Sequence, residues 1–191
     1  MIIFLEREPV VYAKMTGLMQ QADEEVRFHT PYIICNEWML EQLKEICDRT
    51  EAVIMMTNSV AKNGNPFGAM DYAKHKEEIL DTGVQILEYD GGVSYHGKCF
   101  TIDDNLAGIG SFNWDIRSAY LDTEMMLVIN SRELNADLKR EMEYYEESAL
   151  QIGRDKTVTA PAGTTPREIP DKKAFILRIL RIFGGWASFL M

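Results

Sequence analysis

"YHGKCFTIDDNLAGIGSFNWDIRS", residues 95–118, decides how this chain is read. Its apolar residues alternate as in strands, and Asp103-Asp104-Asn105 supplies a tight turn. Side chains two apart on a strand face the same way, so His96 and Lys98 are expected to project together. Ser111 and Asn113 share a face on the returning strand by the same arithmetic. A hairpin folded about residues 103–105 would bring an imidazole, an ammonium, a hydroxyl and a carboxamide to one place. Such groups suit a phosphoryl centre: Lys98 and Asn113 can hold non-bridging oxygens, and a histidine can attack phosphorus or protonate a leaving oxygen. Gly97, Gly108 and Gly110 leave room for a ligand or for neighbouring backbone.

Upstream, residues 12–24 read as a helix leading into "EVRFHTPYII", a strand that ends at Thr30-Pro31. Asn36 is placed to cap a helix over 37–49, with Trp38, Leu40, Leu43 and Cys47 at helical spacing. "AVIMMTNS" (52–59) reads as a buried strand. A helix over 69–83, stopped by Gly83, precedes a strand over 84–90. This alternation predicts α/β layers with parallel crossovers. After Gly91-Gly92 the pattern changes to closely spaced strands at 94–102, 106–112 and 123–130. A helix follows over 131–152, with Ser131 near its cap. Residues 1–150 are expected to form one domain. The Thr-, Pro- and Gly-rich segment 151–170 reads as a linker, and 171–191 as a basic amphipathic helix.

Hydrophobic residues make up 46% of the 191 and charged residues 26%, a balance that favours a folded core over disorder. The net charge of −10 is uneven. Residues 167–191 hold five basic and two acidic side chains, a local +3 that leaves −13 on the rest. An acidic body disfavours non-specific nucleic-acid binding. Cys35, Cys47 and Cys99 form no CxxC pair, which fits a reducing compartment. The start lacks the pattern of a signal peptide, and no run of uncharged residues is long enough to span a bilayer. A cytoplasmic protein, peripheral at the inner membrane surface, is the expectation.

His96-x-Lys98, four residues, Asp103, six residues, Gly110-Ser111-x-Asn113 is a spacing that resembles the phospholipase D superfamily signature, complete at all six positions. "RSAYLDTEMMLVI" and "HTPYIICNEWMLEQLKEI" are similar to the flanking segments of bacterial cardiolipin synthases, in particular the C-terminal half of those two-motif chains. The resemblance covers about residues 20–150. It implies a mixed β-sheet sandwiched between helices. It implies a phosphodiesterase or phosphatidyltransferase acting on phospholipids through a phosphohistidine, without metal or other cofactor. By the same resemblance His96 is nucleophile or general acid. Lys98, Ser111 and Asn113 bind phosphate, and Glu124 orients His96 through its other ring nitrogen. Asp103 belongs to the catalytic signature, but its place at the turn suggests a supporting part.

One motif supplies one imidazole where attack and leaving-group protonation need two. A homodimer, or a missing second motif-bearing half, is therefore implied. A single-motif homodimeric nuclease, or an incomplete half-domain, are the alternative readings. His75 is expected to be a solvated helix residue, and His29 a candidate for lining the pocket. The tail interleaves Lys172, Lys173, Arg178 and Arg181 with Phe175, Ile176, Leu177, Ile179, Leu180, Ile182 and Phe183, followed by Trp186 and Phe189. Such a helix suits an anionic membrane surface, or else packs on its own domain or on a partner subunit.

Overall fold

A computed structural model describes residues 8–183, with side chains to Leu180. Its centre is a mixed eight-stranded sheet in the order β10-β9-β4-β3-β1-β5-β6-β8. The strands β1 (Glu25–His29), β3 (Ala52–Asn58) and β4 (Gln85–Tyr89) run parallel, as the alternation of strands and helices predicted. On the other side of β1, β5 (Cys99–Ile102), β6 (Leu106–Gly110) and β8 (Met126–Asn130) pair antiparallel in sequence.

One face of the sheet is covered by α1 (Val10–Met19), α2 (Glu37–Arg49), α3 (Pro66–Asp81) and the short α4 (Ile116–Tyr120). Asn36 caps α2, its side chain accepting from the Met39 N–H at 2.9 Å, and Met39, Leu43 and Ile46 turn inward. Trp114 stacks on Phe28 with ring centroids 4.3 Å apart and meets the edge of Tyr12. Each such buried ring or aliphatic chain contributes about 1.5–3 kcal/mol. The other face is smaller and partly polar. It is covered by α5 (Arg132–Glu146), whose cap is Ser131, as expected. Period-two geometry divides β1 between the faces: Val26 and Phe28 enter the large core, whereas Glu25, Arg27 and His29 meet α5 carboxylates or an α5 lysine.

Several boundaries differ from the sequence reading. The strand expected at 94–102 begins only at Cys99. Its partner β1 ends at His29, just before Thr30-Pro31, so residues 94–98 have no strand beside them on that side, and on the other side only the Lys98 carbonyl is reached, accepting from the Gly110 N–H at 3.1 Å. The strand read in "EVRFHTPYII" stops before the same Pro31, as expected, and Ile33–Ile34 form a separate β2, paired with β7 (Trp114–Asp115). Helix α3 starts three residues early because Asn65 caps it ahead of Pro66.

The end of the expected 131–152 helix and the expected linker also differ. Residues Ala149–Ile152 form β9 against β4, and Val158–Thr159 form β10 against β9. Further on, Arg167 is tied to Asp90 through its backbone N–H at 2.8 Å and its guanidinium at 3.2 Å. Helix α6 (Asp171–Phe183) then packs on α3, and Lys173 donates to the carbonyls of Ala61 and Asn63. The aromatic end of the tail, Trp186 and Phe189, lies outside the described residues.

Candidate active site

His96 and Lys98 sit in the irregular segment that precedes β5, at the end of the sheet where β1 and β3 terminate. The segment is held by Asn58, whose side chain accepts from the Tyr95 N–H at 2.8 Å and donates to the Tyr95 carbonyl at 2.9 Å. That two-point contact replaces the missing strand neighbour. The His96 ring is exposed, and its Nε2 lies 3.2 Å from the hydroxyl of Tyr32. The Lys98 Nζ lies 2.8 Å from Nδ1 of the same ring and 3.1 Å from the His96 carbonyl.

An ammonium can only donate, so Nδ1 accepts, and the proton of the neutral ring falls on Nε2, facing Tyr32. Partial burial and then the Lys98 charge hold the His96 pKa below its ordinary value. Burial also lowers the Lys98 pKa, against the attraction of the Glu124 and Asp115 carboxylates.

Those carboxylates belong to the other half of the hairpin. Ser111 donates to Glu124 and accepts from the Met125 N–H at 3.2 Å. Ser118 donates to the second Glu124 oxygen at 3.1 Å and accepts from the Asn113 amide at 3.4 Å. Asp115 caps α4 by accepting from the Ser118 N–H at 2.6 Å, which sets Ser118 in place. The approach of β8 to this region is possible because residue 110 is glycine; a Cβ there would lie 2.0 Å from the Met125 carbonyl oxygen. Ser111, Asn113 and Glu124 are thus one hydrogen-bonded group, with the Lys98 ammonium close enough to feel Glu124.

Two placements differ from expectation. Glu124 does not reach His96: both ring nitrogens of His96 face other groups, and both Glu124 oxygens face serines. The Asn113 amide nitrogen is turned toward Ser118, and its Oδ1 is buried without a partner among the described residues. Asp103 follows β5 whereas Lys98 precedes it, which puts about 13 Å of strand between Asp103 and the His96–Lys98 pair. Its carboxylate accepts from the N–H groups of Asp23, Glu24 and Glu25, at 3.3, 2.9 and 3.0 Å. Partial burial opposes its ionisation, but the three amides outweigh it and lower the Asp103 pKa. Asp103 fastens the hairpin turn to the start of β1, as its position at the turn suggested.

The other two histidines are accounted for. His75 is half-buried, 3.2 Å from Asp71 one turn earlier, rather than solvated. His29 does not line a pocket; it is only 2% exposed and lies behind Tyr95. Tyr32, Asn58 and Ser118 were not singled out from sequence. Tyr32 and Ser118 lie in the two segments that flank the motif, and Asn58 ends a buried strand.

Residues 15–145 match the family described as cardiolipin synthase, phospholipase D-like domain. The chain belongs to that family. It is 27% identical over 169 residues to cardiolipin synthase C of Escherichia coli K12, a match that covers 79% of this chain and 36% of that protein. The chain therefore spans about a third of that relative's length. Its fold is shared with the phosphatidylserine synthase of Haemophilus influenzae Rd KW20, at a TM-score of 0.65 and 14% identity, over 93% of this chain and 44% of that one. It is also shared with Nuc, a phospholipase D family member from Salmonella typhimurium, at a TM-score of 0.59 and 14% identity, over 73% and 88%.

Proposed function

We propose that this chain supplies one half of a phosphodiester-transfer site acting on phospholipids, with His96 as its reacting imidazole. The observation that carries the reading is the His96–Lys98 contact beside the Ser111–Glu124–Ser118–Asn113 group, in a chain of the cardiolipin synthase family. In the reaction, the lone pair of a deprotonated Nε2 attacks phosphorus. The bond from phosphorus to the leaving oxygen breaks, and that oxygen takes its electron pair and a proton from a second imidazole. A second alcohol or water then attacks the phosphohistidine and returns a proton to the second imidazole. The phosphorus–nitrogen bond breaks, with its pair going back to His96. Lys98 would neutralise the non-bridging oxygens, and Ser111 and Asn113 would donate to them after turning from their present partners.

Either role of His96 needs a proton on Nδ1, and Lys98 now occupies that side. A phosphate oxygen would draw the ammonium off, and a carboxylate would then have to orient the ring. Among the described residues no carboxylate of this chain contacts His96, so a second half, which also brings the second imidazole, completes the site. The face made by Ile109 on β6, with Met125 (75% exposed) and Leu127 (62% exposed), adjoins Gly110 and Ser111 and is where that half would dock. A second copy of this chain fits the requirement.

Membrane attachment falls to α6. Its Lys173, Ala174, Leu177 and Leu180 turn toward the body, while Phe175 (64% exposed), Ile176 and Ile179 face outward with Lys172 and Arg178. The helix can remain docked and still present an apolar face with basic neighbours to anionic headgroups. No helix among the described residues is long and apolar enough to cross a membrane.

Release of headgroup from phosphatidylglycerol vesicles tests the reading. Turnover should fall by at least about a thousandfold in His96→Ala. An unchanged rate in that variant, or turnover of DNA in place of lipid, would overturn it.

A further inference from the structure

Behind the exposed His96 lies a buried polar chain that the reaction does not use. The Glu146 carboxylate, at the end of α5, is 2.7 Å from Nε2 of His29 and also accepts from Arg27. Nδ1 of His29 is 2.9 Å from the hydroxyl of Tyr95, and the two rings meet edge to face at 5.3 Å. Tyr95 is the residue next to His96, and Asn58, fully buried, grips its backbone from both sides. The residue ahead of the reacting imidazole is therefore fixed at three points by groups from β1 and β3, with Glu146 of α5 behind the first of them, in a segment that has no strand beside it on the β1 side.

We propose that the buried His29–Glu146 pair is a positioning device for His96, acting through Tyr95. It rests on the reading of His96 as the reacting imidazole. An imidazole, a carboxylate and a guanidinium are costly to bury and lock into place only as a complete set. Burial lowers the His29 pKa against the pull of Glu146, so the ring is neutral near pH 7. Nε2–H then donates to Glu146, and Nδ1 accepts from Tyr95, which leaves the Tyr95 hydroxyl one orientation. Tyr95 also forms part of the wall of a cleft of about 440 Å³ that is lined as well by Tyr89, His96 and Tyr145. Movement of Tyr95 would displace both the imidazole and that wall.

The test uses the full chain labelled with ¹⁵N-histidine, whose three imidazoles are few enough to assign from single His→Gln variants. Tyr95→Phe, which removes one oxygen, and His29→Gln should each shift or split the His96 ring signals and leave those of His75 in place. Glu146→Gln should do the same to a smaller degree. Turnover should fall on the order of tenfold in kcat with KM unchanged, since misplacement by a fraction of an ångström slows reaction more than binding. Leu43→Ala, a cavity in the opposite core, serves as the control for lost stability. His96 signals that stay put in both Tyr95→Phe and His29→Gln, or that move equally in Leu43→Ala, would overturn the proposal. These shifts in the variants, with no turnover by the wild-type chain, would uphold the positioning and reject the functional reading.

Discussion

The Lys98 ammonium lies 2.8 Å from Nδ1 of His96, so the charge proposed to meet a phosphate rests on the ring proposed to react with it. The arrangement holds the imidazole in the Nε2–H tautomer and lowers its pKa. Lys98→Met should therefore raise the His96 pKa, since partial burial alone remains to depress it. Titration of the His96 ring signals by NMR checks this. A pKa that stays or falls in the variant would show that Lys98 does not govern the ring.

Asp103 offers a separate test of the hairpin's anchorage. Its pKa is lower folded than unfolded, so its contribution is fully present above the unfolded value, about 4, and is lost as pH falls through the folded value. Asp103→Asn keeps a residue that tolerates the positive φ of 48° but removes the charge that three amides share. A loss of about 1–2 kcal/mol at pH 7 is expected, discounted for solvent exposure, and it should shrink below pH 4. Urea unfolding at several pH values measures it. Headgroup release should be affected only through the folded fraction.

The six-position signature and the parallel β1, β3 and β4 were legible because each rests on local spacing. The Asn36 and Ser131 caps were legible for the same reason. What was not legible depends on partners distant in sequence. "SALQI" reads as helix by propensity, yet pairing with β4 makes part of it a strand. Glu124 has the right place in the chain to serve His96, but β6–β8 pairing sets it beside Ser111 and Ser118. The part played by Asn58 could not be seen without knowing that β1 stops one pair short of the motif.

The outward face of α6 should carry membrane affinity without holding the fold. Replacing Phe175, Ile176 and Ile179 by serine should reduce co-sedimentation with anionic vesicles several-fold, while thermal unfolding stays within a few degrees of wild type. Binding that survives the triple change, or that is equally strong to neutral vesicles at moderate salt, would argue against this attachment.

Leu127→Lys places a charge on the exposed face beside the site. It should lower self-association and turnover together, with little loss of monomer stability because the side chain is solvent-facing. Sedimentation velocity and headgroup release, measured on the same samples, check the pairing of the two effects. Lost turnover with association intact would place the second half elsewhere.

If one chain holds half a site, titrating wild-type chain with His96→Ala removes the site from every mixed pair. Mixtures should be allowed to exchange fully, their masses recorded and headgroup release followed at constant total protein. If each working site needs His96 from two copies, an equal mixture retains roughly a quarter of wild-type turnover, the share of all-wild-type dimers under random pairing. Turnover in simple proportion to the wild-type fraction, or from a preparation shown to be monomeric, would contradict the account.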